Sequence, residues 1–175
     1  HLRLIAVTIP HDPTDKGVQQ RAVLLAFLLS QFIRRGSVPH LLCSSEQGSG
    51  KTTLMRRLKD LTDPDIADVV GTLPSSVAET FAIAARQSNI VVDNLSRIKN
   101  DMSDVLCTLS TGGAHQKRAL YTDDDRAIFR AMTSVMLTTV IDDLAKQPDL
   151  LSRILPLPLA TMGAGQRQSE DDLDA

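Results

Sequence analysis

Residues 45–53, Ser-Glu-Gln-Gly-Ser-Gly-Lys-Thr-Thr, constrain this chain more than any other stretch. They follow an apolar run, 38–43, and open an amphipathic one, 54–61. A buried strand, a glycine-rich loop and a helix, in that order, make a cradle for phosphate. Gly48 and Gly50 permit positive φ, so successive backbone N–H groups can converge on an anion. The helix opening near Lys51 adds the positive end of its dipole. Lys51 is placed to reach the β- and γ-phosphates of a nucleotide, and Thr52 to hold Mg²⁺. Ser45, Gln47, Ser49 and Thr53 complete the expected cradle. The pattern G-x-x-x-x-G-K-[ST] has serine at its first glycine, Ser45, where the residue shapes the turn rather than touching phosphate. ATP and Mg²⁺ are the expected ligands.

The rest of the chain alternates short apolar runs with helical spacing. Helices are predicted over 18–35 (with Val23, Phe27 and Ile33 on or near one face), 51–61, 77–86, 102–109 and 141–146. Strands are predicted over 38–44, 66–70 at an edge, 89–94, 135–140 and 154–159, with a hairpin over 116–130. Such alternation argues an α/β P-loop NTPase fold: a parallel sheet of about five strands with helices on both faces, a three-layer sandwich. The organisation read from it is an irregular arm over 1–17, an ATPase core over 18–160 and a polar tail over 161–175.

Composition narrows the class. Aromatics make up 3% and Trp is absent, so the core must be largely aliphatic. A net charge of −2 gives no global nucleic-acid footprint, and any such contact must be local. Cys43 and Cys107 sit in apolar runs and need no partner, which fits a reducing, cytoplasmic setting. The run 23–29 is too short to span a bilayer, and no membrane association is expected. Histidines at 1, 11, 40 and 115 have no metal-ligand spacing, so Mg²⁺ on a nucleotide is the expected metal. The chain opens on His1 without Met, which reads as a fragment or a processed form.

An acid on a strand tip completes the site. Asn89-Ile90-Val91-Val92 reads as a buried parallel strand with Asp93 at its tip. Near a phosphate loop, such an Asp is expected to bind Mg²⁺ through water. The next residue is Asn94, where many ATPases carry a Glu that deprotonates the attacking water. An amide can position water or sense a γ-phosphate, but it cannot take the proton.

Three motifs together carry a resemblance: Glu46-Gln47-Gly48-Ser49-Gly50-Lys51, Asp93-Asn94-Leu95-Ser96 and Leu120-Tyr121-Thr122-Asp123-Asp124-Asp125. Over roughly residues 18–160 the chain resembles the ATPase core of prophage and mobile-element proteins related to superfamily 3 and poxvirus-type primase-helicases, within the AAA+ class. The resemblance implies a hexameric homo-oligomeric ring that hydrolyses ATP between subunits and acts as a helicase or translocase in DNA replication. It assigns Lys51 and Thr52 to nucleotide and Mg²⁺, and Asp93 to the Walker B acid. Thr138, beside Thr139, stands where relatives carry a sensor Asn. Arg153 matches the arginine finger, with a solvated arginine at a strand start as the alternative. The hairpin would line the pore, with Lys117, Arg118, Arg126 and Arg130 on its arms against DNA. Its acidic tip, 122–125, either faces away from DNA or points to another substrate. The chain stops where relatives continue into a helical lid, which the tail would start, and Arg167 in the tail is a poor substitute for a second sensor arginine. Two other readings stay open: an ATP-dependent assembly switch that hydrolyses little, and a small-molecule kinase, although 141–160 offers only Lys146 and Arg153 for a lid.

Overall fold

Apolar runs too short for helices become the middle of a parallel sheet. The computed structural model describes residues 15–33, 36–64, 72–118, 126–141 and 144–160. The expected edge strand 66–70, the hairpin tip 122–125, Arg167 and most of both terminal segments lie outside them. In chain order the elements are α1 (Asp15–Phe32), β1 (His40–Ser44), α2 (Lys51–Thr62), α3 (Val77–Ala84), β2 (Asn89–Val92) and α4 (Asn100–Thr111). Then come β3 (Gly113–Arg118), β4 (Arg126–Ala131), β5 (Ser134–Thr139), α5 (Pro148–Leu151) and β6 (Ile154–Pro158).

Four strands form one parallel sheet in the order β2-β5-β1-β6. About five strands were predicted; among the described residues the sheet has four. Every residue of β5 and of β2 is buried, which is why these strands read as continuous rather than alternating runs. The pleat still divides them. Leu41, Cys43, Val91 and Met136 pack with Leu24 and Phe27 of α1 and Leu54, Met55 and Leu58 of α2. Leu42, Ile90, Val92, Val135 and Leu137 pack on the other face with Phe81 of α3, Leu106 and Leu109 of α4 and Leu150 of α5. The three-layer α/β sandwich follows from that division, and its core is aliphatic apart from Phe27 and Phe81.

Several boundaries differ from the sequence reading, each for a physical reason. The irregular arm was expected to reach residue 17, but α1 starts at Asp15. Gly17 is a weak breaker in a first turn, costing about 1 kcal/mol that an 18-residue helix absorbs. Ile33 does not join the buried face; it lies past the helix end and is exposed, while Leu24 and Phe27 carry the contact. The predicted helix 141–146 is absent at its described positions, and a one-turn helix stands at Pro148–Leu151 instead. Thr139 Oγ1 accepts the Ile141 N–H at 2.9 Å, and Gln147 before Pro148 is extended at φ −80, ψ 125. Both devices oppose helix, and proline at N1 then favours its start.

The last strand tolerates Pro156 and Pro158 because, among the described residues, β6 pairs on one side only. Leu159 donates its N–H to Ser44 O at 2.8 Å. By alternation, positions 155, 157 and 159 present N–H to β1, while the two prolines occupy the open side. The hairpin β3–β4 forms a separate two-stranded sheet and begins at Gly113, earlier than expected. A Cβ there would sit 2.1 Å from Thr108 Cγ2, so only glycine lets the strand leave α4 so closely. His115 stacks on Phe81 with ring centroids 5.6 Å apart, which seats the hairpin on α3. Among the described residues no helix is long and apolar enough to cross a membrane.

Two buried polar groups tie the layers. Lys59, 3% exposed, donates to Asp63 at 3.1 Å, Gln87 Oε1 at 3.2 Å and Asn89 O at 2.7 Å. His40 is fully buried; its Nδ1 accepts the Val135 N–H at 3.0 Å, so Nε2 carries the proton and donates to Leu106 O at 2.9 Å. Burial lowers the His40 pKa from 6.5 to about 4, the bond to Leu106 opposing the shift. A depressed histidine contributes its stability above the unfolded value and loses it as pH falls through the folded one. Stability is therefore expected to fall by roughly 3 kcal/mol between pH 6.5 and 4 from this group. Urea titrations across that window check it: His40→Gln, although less stable, should show a shallower pH slope. Lys59→Ala, which removes the ammonium's bonds to Asp63, Gln87 and Asn89 O while Asp63 keeps the Ser88 N–H at 2.8 Å, is expected to cost about 2 kcal/mol at pH 7 by the same measurement.

Candidate nucleotide site

The ends of three adjacent strands bring the site together. Past β1 the chain turns through Gly48 (φ 78) and Gly50 (φ 76, ψ 15), and Gly50 caps α2 in the left-handed region. Ser49 between them is buried. Lys51 folds back over this loop: Nζ donates to Ser45 O at 2.7 Å, Glu46 O at 2.6 Å and Ser49 Oγ at 3.3 Å. Burial lowers the Lys51 pKa, against the raising influence of Cys43 and Asp93. A partly buried cation whose hydrogen bonds go to neutral oxygens is suited to receive an anion. Behind it, burial pushes the Cys43 thiol up to about 12, so that sulfur is inert.

Asp93 lies one residue past β2 and is held from both sides. Thr52 Oγ1 donates to Asp93 Oδ2 at 2.8 Å, and Thr138 Oγ1 donates to Asp93 Oδ1. Thr138 Oγ1 also accepts the Asn94 N–H at 2.8 Å. Asn94 itself has φ 56, the one positive-φ residue other than glycine among the described residues. Asparagine tolerates that conformation better than most side chains. The next contacts continue the tie: Leu95 N donates to Thr138 O, and Thr139 Oγ1 to Leu95 O, each at 2.8 Å.

An open cleft of about 510 Å³ lies over these groups, lined by residues Gln47, Gly48, Ser49, Gly50, Lys51, Thr52, Thr53, Asp93, Asn94, Thr138 and Val140. That volume falls within the range of small-ligand sites. Val140 was not foreseen; its apolar type gave no signal beyond strand membership. Ser45 is absent from the lining. Its N–H reaches Thr139 O at 3.3 Å, and its buried Oγ has no partner, so it braces the turn from behind. A hydroxyl and a carboxylate are the hard oxygen ligands Mg²⁺ takes, in company with phosphate oxygens. The residues present therefore fit a Mg²⁺-nucleotide, with Thr52 and Asp93 as the side chains that would hold the metal. Among the described residues no three His, Cys, Asp or Glu side chains converge, so a metal here needs ligand oxygens besides the protein's.

Arg153 is not part of this group. Its carbonyl accepts the His40 N–H at the amino end of β1, whereas the cleft lies at the carboxyl end. The length of β6, roughly 16 Å, separates them. Its guanidinium bonds Asp149 Oδ1, Asp149 O at 2.6 Å and Ser152 Oγ at 3.2 Å. The hydrogen bond from Arg153 holds the Asp149 carboxyl below its usual range.

The basic set on the hairpin is split by register. Arg118 pairs with Arg126 and Ala114 with Arg130, so positions 118, 126 and 130 share one face. Position 117 falls on the other, with His115, which meets Phe81. Arg130 is exposed. The sequence grouped the four residues together because it gave no register.

The sequence model of one family, described as "Actinomycete integrative conjugative element replication protein", matches residues 15–175. No curated protein matches the chain. Among solved structures, the apo C-terminal region of NrS-1 is similar with TM-score 0.60 and 9% identity, covering 92% of this chain and 38% of that one. A second crystal form of that region gives TM-score 0.57 and 8% identity, over 92% and 37%. JCV Helicase bound to an acetamide ligand gives TM-score 0.53 and 15% identity, over 94% and 46%. The likeness is one of fold, and this chain spans less than half the length of each neighbour.

Thr138→Val keeps the shape and deletes the hydroxyl shared by Asp93 and Asn94. It is expected to lower unfolding free energy by about 1–3 kcal/mol. Chemical denaturation beside the wild type measures the difference.

Proposed function

We propose that this chain, which belongs to the family of actinomycete integrative conjugative element replication proteins, is an ATP-hydrolysing, helicase-like AAA+ module of element replication. The observation that carries the reading is the Asp93 carboxylate fixed between the Thr52 and Thr138 hydroxyls beside the Lys51 loop. The helicase fold neighbour and the replication family support a replication, helicase-like setting.

In this reading the loop amides from Gln47 to Thr53 and Lys51 bind the phosphates. Thr52 and Asp93 hold Mg²⁺, which neutralises phosphate charge when bound. Thr138 orients Asp93 and, through its bond to the Asn94 N–H, the amide that faces the γ-phosphate. Arg153, at the far end of the sheet, serves a neighbouring copy's cleft in a homo-oligomeric ring. The face carrying positions 118, 126 and 130 meets DNA backbone, and the protein works in the cytoplasm. Asn94 favours a second reading, a nucleotide-driven assembly switch with little turnover, because an amide cannot accept the proton of attacking water.

ATP turnover with and without single-stranded DNA, beside Lys51→Ala, tests the proposal. Turnover is expected to drop on the order of 100-fold in the variant, as for loss of a preorganised transition-state contact. Equal rates in both proteins sink the enzymatic reading. Asn94→Glu separates the two readings. A carboxylate here is expected to raise turnover about tenfold or more, net of about 1 kcal/mol for a less suitable residue at positive φ. ATP binding without turnover in the wild type, with nucleotide-dependent oligomer size, favours the switch.

A further inference from the structure

Helix α1 is apolar on two opposite faces. Its inner face, with Leu24 and Phe27 buried, packs on the sheet. Its outer face carries Val18, Ala22, Leu25, Leu29 and Phe32, all exposed and spaced 4-3-4-3 along the helix. At about 100° per residue these five fall within an arc of roughly 80°, which is a heptad seam. Val18, Leu25, Leu29 and Phe32 are 52%, 59%, 59% and 65% exposed. A single exposed leucine is ordinary; a continuous apolar stripe about 21 Å long is not. Arg21, outside the stripe, is the one charged residue from 17 through 33. A solvated helix face normally carries charge, whereas the centre of an interface is depleted of it.

We infer that this stripe is a contact between two copies of the chain, packed antiparallel about a two-fold axis. A heptad seam fits a second seam of equal length, and α1 of another copy supplies one. The helix is already held by its inner face, so pairing orders no new segment. The sizes of the side chains set the direction. Antiparallel helices put Leu25 of one copy against Leu29 of the other, and Ala22 against Phe32, a small side chain under a large one. Parallel helices would crowd Phe32 on Phe32 and leave a gap between two Ala22 side chains. The stripe exposes roughly 450 Å² per copy. With its flanks Gln19, Ala26 and Ile33, the pair would bury on the order of 1,200 Å², the lower end for a specific contact. A lipid surface suits the stripe less, because residues 22–33 hold no cation for headgroups. Such a two-fold contact is separate from the head-to-tail contact proposed for the ring, and it needs no nucleotide.

Sedimentation equilibrium of the whole chain without nucleotide, over about 1–200 µM, tests the contact. A monomer–dimer equilibrium with a dissociation constant on the order of 10 µM is expected. Leu25→Lys should weaken it about tenfold or more, because a charge enters each central layer. Ala22→Phe and Phe32→Ala should each weaken it about tenfold, by a clash and by a void. The double variant should return to within about threefold of the wild type, since each change repairs the other's layer. Thermal unfolding checks each fold, and Leu29→Ser, expected to weaken the dimer about fivefold, stands in for any variant that fails to fold. A chain monomeric at the highest concentration, association unchanged in Leu25→Lys, or losses that simply add in the double variant would each overturn the inference. So would a monomer that binds anionic vesicles through Leu25, which gives the stripe to a membrane. Lys51→Ala is expected to dimerise like the wild type; association that appears only with ATP and fails in Lys51→Ala assigns the stripe to the ring and overturns it. Turnover failing in the wild type leaves the dimer untouched, so this inference and the proposed ATPase fall separately.

Discussion

The pairing of β5 between β1 and β2 governs the rest of the molecule. Cys43 lies opposite Thr138, and Val92 opposite Leu137, so the residues just past β1 and β2 flank the end of β5. Thr138 can therefore bond Asp93 on one side while the loop after Ser44 rises on the other. A slip of one residue in either pair would turn Leu137 and Met136 to the wrong faces and carry Thr138 away from Asp93. The aliphatic alternation that builds two cores thus also sets the geometry of the cleft. Core packing and site geometry are one constraint, which explains how polar Thr138 and Thr139 can sit fully buried at strand ends.

Much of this was legible because local signals and tertiary needs agree. Gly-Ser-Gly-Lys-Thr between an apolar run and an amphipathic one has one good solution, and the acid after Val-Val has a natural place beside it. The alternation of elements and the three layers came through for that reason, and Lys51, Thr52 and Asp93 line one cleft. What did not come through depends on contacts distant in sequence. His40 looked like a stray histidine, yet it bridges Leu106 and Val135. Lys59 carried no signal of its own in the sequence, yet it closes three acceptors beneath β2. The irregular course at residues 141 and 144–147 reflects a threonine bond and a proline rather than any lack of helix formers. The start of β3 at Gly113 depends on a close approach to Thr108 that no periodicity reveals.

The two ends of the sheet divide the chemistry. The carboxyl end holds a partly buried lysine, a fixed carboxylate and an amide, the groups on which the proposed nucleotide binding rests. Both oxygens of Asp93 are engaged by hydroxyls, so that carboxylate is not free to act as base. The amino end holds Arg153, whose guanidinium is occupied by Asp149 within the same chain. Releasing it costs a partly exposed ion pair, a small barrier beside the charge that develops on a transferring phosphoryl group. In the proposed ring, head-to-tail contact would set the Arg153 end of one copy against the Lys51 cleft of the next, and closure would leave neither end unmatched.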